Sequence, residues 1–206
     1  MIEDLDASIK ALLEYELADI HPNLSISFES PDDDFPSGIV TAPAVDLFLY
    51  DIREDLELRH NERYIRSGGP GGTTLLTREP VYVECTYLIT AWSASIETAA
   101  HDEQVIISDV VRALYRYVSI PETLPDRNDP DGQPVQILQG ELSGSDPLPR
   151  AFTIQTGHMQ NPSEFWSAMG GKPKPQCNYQ VTFPMDVFSP IRSKPIQSVN
   201  LSLPEE

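Results

Sequence analysis

The run YVECTYLITAW places Val81, Val83, Cys85, Tyr87, Ile89 and Ala91 at every second position. Successive side chains of a strand point to opposite faces, so this period predicts one long strand with an apolar face turned to a core. Two other segments carry helical spacing instead. Ile2, Leu5, Ile9, Leu12, Leu13, Leu17 and Ile20 recur every three to four residues, with Glu3, Asp4 and Asp6 in the first turn. That pattern predicts an amphipathic helix ended by His21-Pro22, because proline disfavours helical geometry in the residue before it. After Ser95, the stretch AAHDEQVIISDVVRALYRYV predicts a second helix, with Ile106, Val110, Ala113, Leu114 and Tyr117 as its buried stripe and an end before Pro121. Together these elements predict an α+β fold, a mixed and mainly antiparallel sheet flanked by two main helices.

The remaining segments fill in that sheet. LSISFES, 24–30, alternates Leu24, Ile26 and Phe28 against serines and reads as a half-buried strand. AVDLFLYDI, 44–52, is nearly continuous in apolar residues and predicts a central strand buried on both faces. SGGPGG, containing Gly69 and Pro70, reads as the tip between two strand arms. QPVQILQGEL and RAFTIQTG predict two short strands joined as a hairpin. NPSEFWSAMGG has an Asn-Pro start and a Gly-Gly stop, which predicts a short helix carrying Phe165 and Trp166. In NYQVTFPMDV, Tyr179, Val181, Phe183, Met185 and Val187 share a face, and Pro184 points to an edge strand or a bulge. Residues 1–188 read as one α+β domain and 189–206 as an extended, proline-containing tail.

Charge excludes some partners. The 206 residues hold 32 acidic and 14 basic side chains, a net charge of −18. Phosphate backbones are bound by Lys and Arg that displace counterions, so nucleic acid is not an expected partner. Residues 1–10, MIEDLDASIK, lack a cationic and apolar leader, and no stretch reaches membrane-spanning length. No membrane insertion and a cytoplasmic location are expected. Cys85 and Cys177 are too few for a disulfide framework, and Cys85 lies among apolar neighbours of a strand, so it reads as buried and inert.

Catalytic patterns are weak. The glycine-rich loop lacks the lysine of a phosphate cradle, and Thr73, Thr74 and Leu75 lead into a strand where a cradle needs the start of a helix. His21, His60, His101 and His158 form no metal motif, and His101-Asp102-Glu103 reads as capping and solvation at a helix start. No G-x-S-x-G elbow is present. No catalytic, metal or cofactor site is expected.

Five blocks carry a resemblance: IEDLDASIKALLEYEL, VDLFLYDIREDLELR, YVECTYLITAWS, EQVIISDVVRALYRYVSIP and NPSEFWSAMGGKPKPQCNYQVTFPMDV. By their order and spacing over residues 1–188, the chain resembles the N-terminal domain of the cap, or tail-terminator, protein of contractile injection systems. It departs from that pattern in a glycine-rich insertion at 67–72 and an acidic loop at 32–34. The resemblance implies a tail-terminator-like fold and a ring of six copies that ends the inner tube and the sheath away from the baseplate. Self, sheath protein and inner tube protein are the implied partners. A strand shared at an open edge near the C-terminus would join subunits, as in β-augmentation. The expected contacts are Tyr179, Val181, Phe183, Phe188, Ile191, Ile196, Val199 and Leu201, with Gly69 and Pro70 at the tip and Phe165 and Trp166 on the short helix. The alternative is a binding or adaptor module that recruits a partner through the same strand and tail without capping.

Overall fold

The computed structural model describes residues 1–32, 35, 41–59, 63–67, 74–95, 97–129, 132–153, 162–189 and 191–193. Helix α1, Ile2–Leu17, places Glu3 and Asp4 at its positive end and buries Leu5, Ile9, Leu12, Leu13 and Leu17. It stops earlier than the apolar spacing predicts. The His21 amide donates to the Leu17 carbonyl at 2.8 Å, closing a turn that leaves Ile20 exposed.

The strands follow as β1 (Ser25–Ser27), β2 (Ala44–Glu54), β3 (Arg63–Ser67), β4 (Thr74–Arg78) and β5 (Val81–Trp92). Helix α2 is Ala99–Leu114, with Ile106, Val110, Ala113 and Leu114 buried. Then come β6 (Thr123–Leu124), β7 (Val135–Gln136), a 3-10 turn at Gly140–Leu142 and β8 (Arg150–Thr153). Helix α3 (Pro162–Ala168), β9 (Gln176–Met185) and β10 (Ile191–Ser193) complete the described chain.

The main sheet has the order β1-β2-β5-β9-β8, with β1 parallel to β2 and every other pair antiparallel. One face packs on α1 and α2. There Cys85, Tyr87 and Ile89 of β5 meet Val45 and Leu47 of β2 and Tyr179, Val181 and Phe183 of β9. Among the described residues, the opposite face is covered at one end only. Phe35 lies edge-on to Trp92 at 4.8 Å, Phe48 meets Phe165 of α3 at 6.1 Å, and the Trp166 indole donates to Gln176 Oε1 at 2.7 Å.

Two expectations are corrected, and the edge expected at Pro184 is met at that position only. QPVQILQGEL and RAFTIQTG do not form a hairpin: β7 pairs with β6, Gly140–Leu142 turns, and β8 pairs with β9. The long apolar run of β2 is buried on both faces only over Ala44–Leu47, because a register shift between Leu49 and Asp51 brings the strand to the surface by Arg53 and Glu54. Strand β9 is interior where β8 covers it, from Tyr179 to Thr182. Pro184 lies just past that cover, where a missing amide costs no ladder bond on the β8 side.

Buried charges tie the layers together. Glu16 of α1, 2% exposed, accepts from Arg116 and from the Tyr117 hydroxyl (2.6 Å), and lies 3.3 Å from Arg127. Arg127 also covers the Tyr15 ring at 4.2 Å. The Glu16→Ala variant leaves the Tyr117 hydroxyl without its acceptor, and we expect a loss of about 1–3 kcal/mol in urea unfolding. An unchanged midpoint would show that the cluster is not holding the 115–127 segment to α1.

Asp46 of β2 is fully buried opposite Ser27 and Thr90, and neither of its oxygens has a hydrogen-bond partner among the described residues. Desolvation pushes its carboxyl up from the ordinary 3.8 to about 8, outweighing the favourable approach of Ser27 and the Glu29 backbone. The folded state therefore holds a proton that the unfolded chain releases, and stability falls as pH rises from about 4 to about 8. The Asp46→Asn variant should flatten that slope and be the more stable protein at pH 8, as read by thermal melts across the range.

Candidate assembly surface

The second sheet, β10-β4-β3, repeats the order of the main sheet. Strand β3 continues from β2, β4 leads through Glu79-Pro80 into β5, and β10 continues from β9. The three central strands thus run on past the main sheet as a three-stranded arm. Its ladder pairs Ile65 with Leu76 and Leu76 with Ile191, antiparallel throughout. The arm makes at most marginal contact with the helices. Among the described residues, neither β3 nor β10 has a partner on its outer side. Two lines of backbone donors and acceptors are thus unpaired among the described residues, and such edges are the usual template for adding a strand from another chain.

The main sheet differs at its edge. Outside β8, the Ala151 amide donates to the Val118 carbonyl at 2.9 Å and the Ile120 amide to the Pro149 carbonyl at 2.9 Å. Pro121 follows directly, so the added edge is short and blunt.

The residues expected at the interface separate into three groups. Tyr179, Val181 and Phe183 are wholly buried in the core, so the backbone of β9 is shared with β5 and β8 and these side chains are not offered to a partner. Their alternation marks the inside of the fold. Trp166 is likewise buried, and Phe165 is half-buried against it at 5.6 Å, so both close the second face of the sheet. Phe188 (43% exposed) and Ile191 (56% exposed) do reach the surface. Gly69, Pro70, Ile196, Val199 and Leu201 lie outside the described residues. Over 191–193 the backbone is a strand paired to β4 within the same chain.

Sequence reasoning missed Arg78. Its guanidinium stacks on the Phe188 ring, 4.8 Å from the centroid, and so pins the β9–β10 connection to the end of β4. A lone arginine before a Glu-Pro pair carries no signal for this, since the contact spans 110 residues of chain.

Chemistry elsewhere is accounted for by structure. Asp102 accepts from Ser93 (3.1 Å) and Thr98 (2.6 Å) at the start of α2, while Glu103 is buried and ion-paired to Lys174 and not solvated as expected. His21 Nε2 lies 3.0 Å from Asp109. Burial pushes both thiols, Cys85 and Cys177, up to about 12, so neither is a thiolate at neutral pH. Among the described residues no group of His, Cys, Asp and Glu could hold a metal ion, and no helix is long and apolar enough to cross a membrane.

No curated protein matches the sequence. Residues 4–198 match the Pvc16 N-terminal domain. The chain belongs to the Pvc16 N-terminal domain family. Two solved structures share the fold of this Pvc16-type domain. One is the PVC sheath/tube terminator of an extracellular contractile injection system in its extended state, 24% identical over 100% of this chain, with a TM-score of 0.70. The other is the anti-feeding prophage cap, a tube-terminating cap, 24% identical over 98% of this chain, with a TM-score of 0.60. The domain spans 64% and 61% of those two chains, less than two thirds of either.

The clasp by Arg78 makes a local prediction. In the Phe188→Ala variant, amides of β4 and β10 should exchange faster while those of β5 and β9 keep their protection, since an exposed cation–π contact contributes about 0.5–1 kcal/mol. Unchanged exchange in the arm would show that it is held by its ladder alone.

Proposed function

We propose that this Pvc16-type domain is the capping subunit of a contractile injection system, a ring of six copies that ends the inner tube and the sheath at the baseplate-distal end. The reading is supported by a fold shared along the whole chain with two terminator caps, and carried by one observation, the arm with two open strand edges.

A polymer of identical subunits stops when its last layer offers no repeat of the surface that recruited it. A head-to-tail contact that closes by rotation does this, because every subunit's donor and acceptor surfaces are used within the circle. The arm suits such a contact. Strand addition at β10 or β3 supplies backbone hydrogen bonds in a fixed register, and Ile191, exposed at the arm's edge, supplies an apolar anchor. In this scheme residues 1–188 are the body of the subunit and 189–206, beginning as β10, form the linking segment. Capping of this kind needs no catalysis. A net charge of −18 keeps free subunits apart and draws them to positively charged faces of tube or sheath.

Truncation after Val187 removes β10 but none of the main sheet or its helices. The truncated protein should retain its far-ultraviolet circular dichroism and fail to limit particle length, giving tubes and sheaths of uncontrolled length in electron micrographs of assembled particles. Normal particle length would refute the role given to the arm. The adaptor reading is separated by micrographs of the purified full chain with tube and sheath proteins, where rings on particle ends support capping and dispersed monomers oppose it.

A further inference from the structure

Among the described residues, the second face of the main sheet is covered by α3 and Phe35 at one end and open at the other. The open end is a groove. Its floor is Glu84, Gln180 and Thr182, one wall is the 53–58 segment, and the other is the 147–152 segment. A cavity of about 600 Å³ lies between Glu54, Leu56, Glu57, Glu84 and Phe152, and a smaller one of about 150 Å³ lies between Leu58, Tyr82, Pro147, Leu148 and Pro184. Leu58, Arg150 and Thr182 border both, so the two are continuous.

The groove combines two features that solvent-facing surface does not need. Large apolar side chains stand at its rim, Leu56 at 68% exposure, Leu148 at 37% and Phe152 at 38%. Carboxylates gather on one wall. Arg53 is neutralised by Asp51 at 2.7 Å and Arg59 by Glu54 at 3.3 Å, while Asp55 is fixed in place by the Glu57 and Leu58 amides at 3.0 and 3.2 Å. Glu57 is exposed, with no cation beside it among the described residues. Arg150, on the far wall, leaves the groove polarised, acidic on the side of the 53–58 segment and apolar at the small pocket.

We propose that this groove docks a basic segment of a partner protein, an extended chain that sets Lys or Arg against Asp55 and Glu57 and places one aliphatic side chain between Leu148, Tyr82 and Pro184. The shape fits an extended peptide in preference to a small metabolite, because the two cavities are continuous and the small pocket offers few polar partners. A second copy of the chain is disfavoured as occupant, since a surface of net −18 would meet an acidic wall. This inference rests on the capping reading only for whose segment it is: in that reading, a positively charged face of tube or sheath.

The test uses the isolated full chain and a synthetic peptide, acetyl-Leu-Lys-Leu-Lys-Leu-Lys amide, with a glutamate-for-lysine peptide as control. Nuclear magnetic resonance titration should place the shifts of the lysine peptide on residues 53–58, 148–152 and 180–184. Affinity should fall as salt rises, fall at least about tenfold in Glu57→Lys and in Leu148→Asp, and be undetectable for the glutamate peptide. Both substituted side chains are surface residues, and circular dichroism of each variant checks its fold. A Tyr82→Ala variant tests the small pocket independently should Leu148→Asp fail to fold. Shifts elsewhere, equal binding of both peptides, no binding, or variants that bind as the parent does would each overturn the proposal. None of these outcomes bears on particle length, so loss of the groove and loss of the capping reading are told apart.

Discussion

Strand β5 is hydrogen-bonded on both flanks, by β2 over Val83–Trp92 and by β9 over Val81–Thr90. A backbone donor or acceptor buried without a partner costs free energy comparable to a lost hydrogen bond, so a strand of this length demands two long neighbours in register. The rest of the molecule is arranged around that demand. Period-two alternation then turns Cys85, Tyr87 and Ile89 inward together, and only a helical layer of matching width can cover them. The stripe of α1 and the stripe of α2 supply it.

Polar groups inside this frame are handled unevenly. The Tyr87 hydroxyl donates to Asp6 at 2.7 Å and Glu103 meets Lys174, so the edges of the core are satisfied. Asp46 is the ionisable carboxyl that departs from this, along with the Thr86 and Tyr179 hydroxyls, which also lack a partner among the described residues. Its carboxyl lies fully buried without a bonded partner, and the fold tolerates it by keeping it protonated over most of the pH range. The carboxylates at the surface act in the opposite sense, since they stay solvated and charged and give the chain its net charge of −18.

The chain that builds the core runs on into the arm. Because β3 follows β2, β4 precedes β5 and β10 follows β9, the arm is joined to the core at three points, though its ladders are offset from those of the core. Such an arm differs from a loose tail: less conformational entropy is lost when it pairs. The Arg78–Phe188 contact tightens it at the point where β8 no longer covers β9.

Local patterning alone determined the main elements of this protein. The alternation of 81–91, the stripes of the two long helices, the short helix with Phe165 and Trp166 and the two strand arms at 63–78 were all legible, because each is set by a period or a terminator within a few residues. The family resemblance was legible for the same reason, in the order of those blocks. Tertiary structure decided which strands meet. Nothing in RAFTIQTG states that it pairs with β9 in place of β7, and nothing in NYQVTF distinguishes a core face from a docking face, since both are apolar alternations. Tyr179, Val181 and Phe183 were therefore assigned to a partner when they belong to the core. The groove was invisible in the sequence because Leu58, Tyr82, Leu148 and Pro184 come together only when four separate segments close on one face of the sheet.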